Sequence, residues 1–174
     1  MSAKKLALLA VMALFVSGSV AAEAVHKYVG VKKCSMCHKS EAKGNQFGQW
    51  QSTGHAKAYG TLASPEALET AKRVGLAGDP QKAPECLKCH TTGYGGEQAE
   101  GFIASEGVQC ETCHGAGSDY LSLSVMKSRE KSIAGGLIMP TKEVCEKCHN
   151  KDNPNYKEFN YDEAVKKITH PAKK

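Results

Sequence analysis

The stretch "GVQCETCHGAGSDY", residues 107–120, contains the pattern Cys110-x-x-Cys113-His114. The same pattern recurs as "CSMCH" at 34–38, "CLKCH" at 86–90 and "CEKCH" at 145–149, and together the four copies use all eight cysteines. An even cysteine count can mean disulfides in an exported chain. Paired C-x-x-C elements can also hold zinc through four thiolates. Neither reading accounts for a histidine after every second cysteine in a chain where histidine is only 7 of 174 residues. Covalent haem attachment accounts for all four.

That chemistry needs this spacing. A haem carries two vinyl groups on adjacent pyrroles, and two thiols three residues apart on one turn of backbone can form thioethers with both. The next residue then lies under the macrocycle, where an imidazole nitrogen can ligate iron. The reading is therefore four covalently attached haem c groups. They are held by Cys34, Cys37, Cys86, Cys89, Cys110, Cys113, Cys145 and Cys148, with His38, His90, His114 and His149 as proximal iron ligands.

The N-terminus reads as a cleaved export signal over residues 1–22, leaving residues 23–174 as one tetrahaem domain. Lys4 and Lys5 form a basic start, Leu6 to Val16 an apolar run, and "SGSVAA" a small-residue cleavage zone ending at Ala22. Eleven apolar residues fall well short of the roughly 20 that span a bilayer, so no membrane span remains after cleavage. The expected location is periplasmic, or secreted to the cell surface, the side of the membrane where such haems are attached. Loss of the two lysines lowers the formal charge from +5 to +3. That is too mild to point to nucleic acid, which calls for a basic patch or stripe.

The expected fold is mainly α and loop-rich, a small single-domain multihaem cytochrome. Mean hydropathy is −0.41, only 6% of residues are aromatic, and long apolar runs are few. Four haems on residues 23–174 leave fewer than 40 residues for each, so the core is built around porphyrin rather than side chains. "SPEALETAKRVG" predicts a helix with Ser64 as N-cap, Pro65 first, Lys72 and Arg73 late and Gly75 as the stop. "KSEAKGNQFGQWQSTGHAKAYGTL" predicts helix, against the poor helix propensity of Gly44, Gly48 and Gly54. "NYDEAVKKITHP" predicts a helix closed by Pro171. "GLIMP" reads as an apolar patch against a haem. Alternating strand patterns are scarce, and the uneven motif spacing excludes a solenoid.

Ligation of four irons by two histidines each needs eight, and the chain has seven. After the four proximal ligands, His26, His55 and His170 remain for the opposite faces. At least one iron must take another ligand, none, or one from a neighbouring chain. Methionine is the other common axial ligand, and Met126 and Met139 are in range of choice.

From Gly30 to His170 the chain resembles the tetrahaem cytochrome c-554 family. The matching pieces are "KKCSMCHKS", "GHAKAY", "CLKCHTTGYG", "GVQCETCHGAGSDY" and "YDEAVKKITH". The resemblance implies that His55 faces His114 across the third haem and His170 faces His149 across the fourth. It also implies that the second haem, on His90, has no strong distal ligand. In the family a histidine soon after the third motif closes the first haem, and here that position is close to Ser122. Opposite His38 the choices are Met126, reachable if "SDYLSLSVMK" is helical, His26, or a neighbouring chain.

Three functions fit. The first is electron carriage between redox partner proteins through closely packed haems, as the resemblance implies. The second is reduction of a small molecule such as nitric oxide or hydroxylamine at an open second haem, although no acid–base pair is evident near His90. The third is a homo-oligomer or conducting filament in which His26 completes a neighbour's iron.

Overall fold

The computed structural model describes residues 25–170, so the expected export signal, its expected cleavage site and Pro171 lie outside the described residues. Among those residues the secondary structure is helical, with no strand. One isolated parallel bridge joins Tyr28 to Gln98.

The helices are short. Each of the first three haem motifs ends one: α1 (Val31–His38), α5 (Pro84–His90) and α6 (Cys110–His114). The fourth motif begins in α9 (Lys142–Glu146) and finishes in a turn, with the His149 N–H donating to the Cys145 carbonyl at 3.0 Å. In a helical turn, residues three and four apart share one face. Both cysteines and the histidine of a motif therefore project together.

Between the first two motifs, the glycine-bearing stretch breaks into a 3₁₀ turn (Glu41–Lys43), α2 (Gln46–Ser52) and α3 (Gly54–Thr61). The break after the 3₁₀ turn falls where Gly44 and Asn45 take φ of 103° and 42°. Gly54 opens α3 rather than interrupting a longer helix. The capped segment forms α4 (Pro65–Arg73) as its sequence predicts: the Ala67 N–H donates to Ser64 Oγ at 3.2 Å, and Gly75 stops the chain at φ 74°.

After the third motif, "SDYLSLSVMK" is helical only over α7 (Leu123–Met126), capped by Ser122 and followed by α8 (Arg129–Ala134). The C-terminal helix α10 (Tyr161–Ile168) is capped by Asn160, whose Oδ1 accepts from the Glu163 N–H at 3.2 Å. Thr169 turns extended, which releases His170 from the helix.

The interior is polar to an unusual degree. Apolar burial among the described residues is confined to Val29, Val31, Leu62, Ala71, Val108 and Tyr120. The largest fully buried side chains are Gln109, Glu111, Thr92, Pro80 and Ser132. These polar groups join three haem motifs. Gln109 Oε1 accepts from the Val31 N–H at 2.6 Å, and Glu111 accepts from the Val29 and Gly30 N–H groups. The start of α1 has no side-chain cap of its own, so the third motif supplies the acceptors that helix N-termini require. On the other side, Thr92, two residues past the second motif, meets Thr112 hydroxyl to hydroxyl at 2.7 Å. Its Oγ1 also accepts from the Gln109 N–H at 2.6 Å. An unmet buried N–H costs about 1–3 kcal/mol, so these contacts decide the register of the three motifs. Gly93 is required by the same packing. It sits at φ 63°, and a Cβ there would lie 2.5 Å from the Tyr28 ring.

Candidate haem-binding site

A cavity of about 470 Å³ opens between the first and third motifs, a size typical of ligand pockets. Its walls include Cys34, Cys37 and His38 from α1, Cys110, Cys113 and His114 from α6, and Phe47 and Trp50 from α2. Trp50 Nε1 donates to the Val108 carbonyl at 2.7 Å, which fixes α2 to the approach to the third motif. Met126, Met139, Leu137 and His170 close the far side. The "GLIMP" segment is thus part of the cavity wall. It is held there by the Ile138 N–H donating to the His114 carbonyl at 2.9 Å.

The attachment cysteines meet across motifs. Cys34 and Cys110 perturb one another's acidity as near neighbours, as do Cys89 and Cys148. The neighbouring Cys148 thiol holds Cys89 down to about 7, against burial. Burial first, and then the neighbouring Cys145, push Cys113 up to about 11. The first motif therefore adjoins the third, the third adjoins the fourth, and the fourth adjoins the second.

Five histidines have their Nδ1 engaged by oxygen, His26 through the Asp119 carboxylate and four more as follows. His90 Nδ1 meets the Ala58 carbonyl at 2.7 Å, and His170 Nδ1 meets the Ile168 carbonyl at 2.7 Å. His114 Nδ1 meets the Ile138 carbonyl at 3.3 Å, and His38 Nδ1 lies 3.4 Å from Gln46 Oε1. A carbonyl acceptor places the proton on Nδ1 and leaves the Nε2 lone pair for a metal, the usual outer-shell arrangement of a ligating histidine. Burial, the main influence, lowers the proton affinity of both His55 and His114, as do neighbouring imidazoles. Each is thereby kept neutral, the form that ligates.

The histidines meet in pairs. The His55 and His149 ring centres are 6.0 Å apart at 68°, and those of His114 and His170 are 6.1 Å apart at 67°. A metal–nitrogen bond of about 2 Å on each side, plus the distance from nitrogen to ring centre, separates two axial imidazoles by roughly 6 Å. His55 with His149, and His114 with His170, could each hold one haem iron between them. Among the described residues, no three His, Cys, Asp or Glu side chains converge as a zinc site would require.

The pairing is the reverse of what the resemblance implies. His55 lies against His149 rather than His114, and His170 against His114 rather than His149. The reason is in the backbone. The Val108 N–H donates to the His55 carbonyl at 3.0 Å, and Gly107, at φ 82°, would bring a Cβ within 2.7 Å of that same oxygen. With its backbone pinned beside the third motif, the His55 side chain reaches the fourth. Phe159 stacks on the His149 ring at 4.8 Å and 13°.

The remaining candidates separate. Met126 lines the cavity that contains His38. His26 is not among that cavity's walls. Its Nδ1 is 2.5 Å from Asp119 Oδ2, and its ring packs against Gly136. His90 has no imidazole partner among the described ring contacts. Beside its helix is a second cavity, about 350 Å³, lined by Tyr59, Gln81, Leu87, Thr91, Tyr94 and Gln98. Sequence reasoning missed Gln109, Glu111 and Thr112. The available signal was two residues able to hydrogen-bond in the spacer positions of the third motif.

The profile of the family described as "Cytochrome c554 and c-prime" matches residues 33–115, which take in the first three motifs. Cytochrome c-554 of Nitrosomonas europaea is 33% identical over 137 residues, covering 74% of this chain and 54% of that protein. The chain thus matches about half the length of that relative. No solved structure matches it. With its repeated attachment motifs and this similarity, the chain belongs to the cytochrome c-554 family, c-type cytochromes with covalently bound haem.

Proposed function

We propose that the protein is an exported tetrahaem cytochrome that carries electrons between redox partner proteins. In this reading residues 1–22 are the export signal, residues 23–174 the tetrahaem domain, and the location is periplasmic or the cell surface. The observation that carries the proposal is the meeting of attachment cysteines across motifs. It supports an electron path in the order first, third, fourth, second, which differs from the order along the chain. Haem iron supplies one-electron chemistry, with potentials set by axial ligand, hydrogen bonding and burial.

The residues supply the rest. Cys34, Cys37, Cys86, Cys89, Cys110, Cys113, Cys145 and Cys148 bind, and His38, His90, His114 and His149 ligate. His170 completes the third site and His55 the fourth. For the first site the cavity favours Met126, which shares it with His38, while His26 is engaged by Asp119. Encounters with redox partners are small and brief.

A second reading, binding and reduction of a small molecule at the second site, is favoured by one observation. His90 is oriented by the Ala58 carbonyl and meets no second imidazole among the described residues' ring contacts. Coulometric reduction under carbon monoxide tests both readings. The holoprotein is expected to take up four electrons per chain, with about one haem in four high-spin and gas-binding. Uptake of fewer than four electrons contradicts the wire, and four low-spin haems that ignore the gas remove the second reading.

A further inference from the structure

Glu111 occupies a spacer position of the third motif and is only 1% exposed. Three backbone N–H groups converge on its carboxylate. Val29 donates to both oxygens, at 2.8 and 3.1 Å, Gly30 donates to Oε2 at 2.7 Å, and Gly117 donates to Oε1 at 2.7 Å. No side-chain cation pairs with it among the described residues. The segments it joins are the entry to α1, which bears the first motif, and the exit from α6, which bears the third. A Cβ on Gly117 would already lie 3.0 Å from Oε1, so the chain closes tightly around the group.

A carboxylate held in this way lies between the first and third motifs, away from water. A negative charge in a poorly screened interior acts more strongly than one in water. It favours the oxidised, more positive state of any redox centre beside it.

We propose that Glu111 is a positioning residue that clamps the first motif to the third and lowers the reduction potentials of both their haems through its charge. This rests on the reading that both motifs carry haem. Each reduction adds one electron from an external donor to an iron, with no bond made or broken.

The test is a spectroelectrochemical titration of the purified holoprotein and its Glu111→Gln variant, with the haem count of each taken from intact mass. At full haem content the variant is expected to show two haems shifted upward. The shift in the reduced-to-oxidised ratio should be at least tenfold, which is 59 mV for a one-electron couple. Superimposable titrations at full haem content would overturn the proposal. If the glutamine variant loses haem, Glu111→Asp keeps the charge. A carboxylate band that moves between parent and aspartate variant in the redox-difference infrared spectrum then supports the proposal, and an unchanged spectrum overturns it. Loss of haem from both variants would leave a structural clamp alone and also overturn the tuning role. A parent protein without haem on the first and third motifs would instead sink the reading beneath it.

Discussion

Chains produced without haem attachment are expected to show no cooperative thermal transition and the far-ultraviolet circular dichroism of a largely unfolded polypeptide. The interior explains why. Six apolar residues are buried among the described residues, and the longest helix, α4, has nine residues. Helices shorter than about 12–15 residues are marginal by themselves in water and depend on packing. Meanwhile Met36, Leu123, Met126 and Met139 line the cavity at 64, 61, 37 and 50% exposure. Apolar side chains so placed need an apolar body to cover them, and a macrocycle held by Cys34, Cys37, Cys110 and Cys113 is in position to do so. The polar contacts among Glu111, Gln109, Thr92 and Thr112 set register, but hydrogen bonds exchanged with water add little net stability. A haem-free chain that melts cooperatively with the helix content of the holoprotein would show that side chains alone suffice.

The second large effect concerns the axial histidines. His55→Ala is expected to turn one low-spin haem high-spin and open it to carbon monoxide after reduction, and His170→Ala to do the same at a different haem. The ring pairs make the two outcomes separable. In a Cys145→Ser, Cys148→Ser background, which lacks the fourth haem, His55→Ala should add no new high-spin signal, whereas His170→Ala still should. The opposite pattern would restore the pairing implied by the resemblance and contradict the 6.0 and 6.1 Å contacts as ligand pairs. These effects are all-or-none at one iron, because an imidazole truncated to a methyl leaves no nitrogen to ligate.

What was legible in the sequence was local. The Cys-x-x-Cys-His units announce themselves because thiols and imidazole must act on one small group from one turn of chain. Helix α4 was legible for the same reason: Ser64, Pro65, Lys72, Arg73 and Gly75 act within a few residues of one another. Gly44 and Gly54 stand where the following stretch breaks, whereas Gly48 lies inside α2. Its Gly44–Asn45 break needed the backbone, since Asn45 takes a positive φ as well. Long-range relations were not legible. Nothing near His55 says that Val108 will pin its carbonyl, so nothing near it says that its ring will meet His149. Met126 was only slightly preferred to His26 in the sequence, and what separates them is distant: Asp119, 93 residues from His26, and the cavity that Met126 shares with His38. Nothing in the sequence marks Glu111, on which three N–H groups from segments on either side close.

The central claim is that all four motifs carry haem at once, and the intact mass of the denatured protein purified from a haem-attaching host tests it most directly. The account predicts a mass of the chain cleaved after Ala22 plus four haems, which stay bound through denaturation because thioethers hold them. A mass short by one or more haems, or one that returns to the bare polypeptide on denaturation, would contradict it.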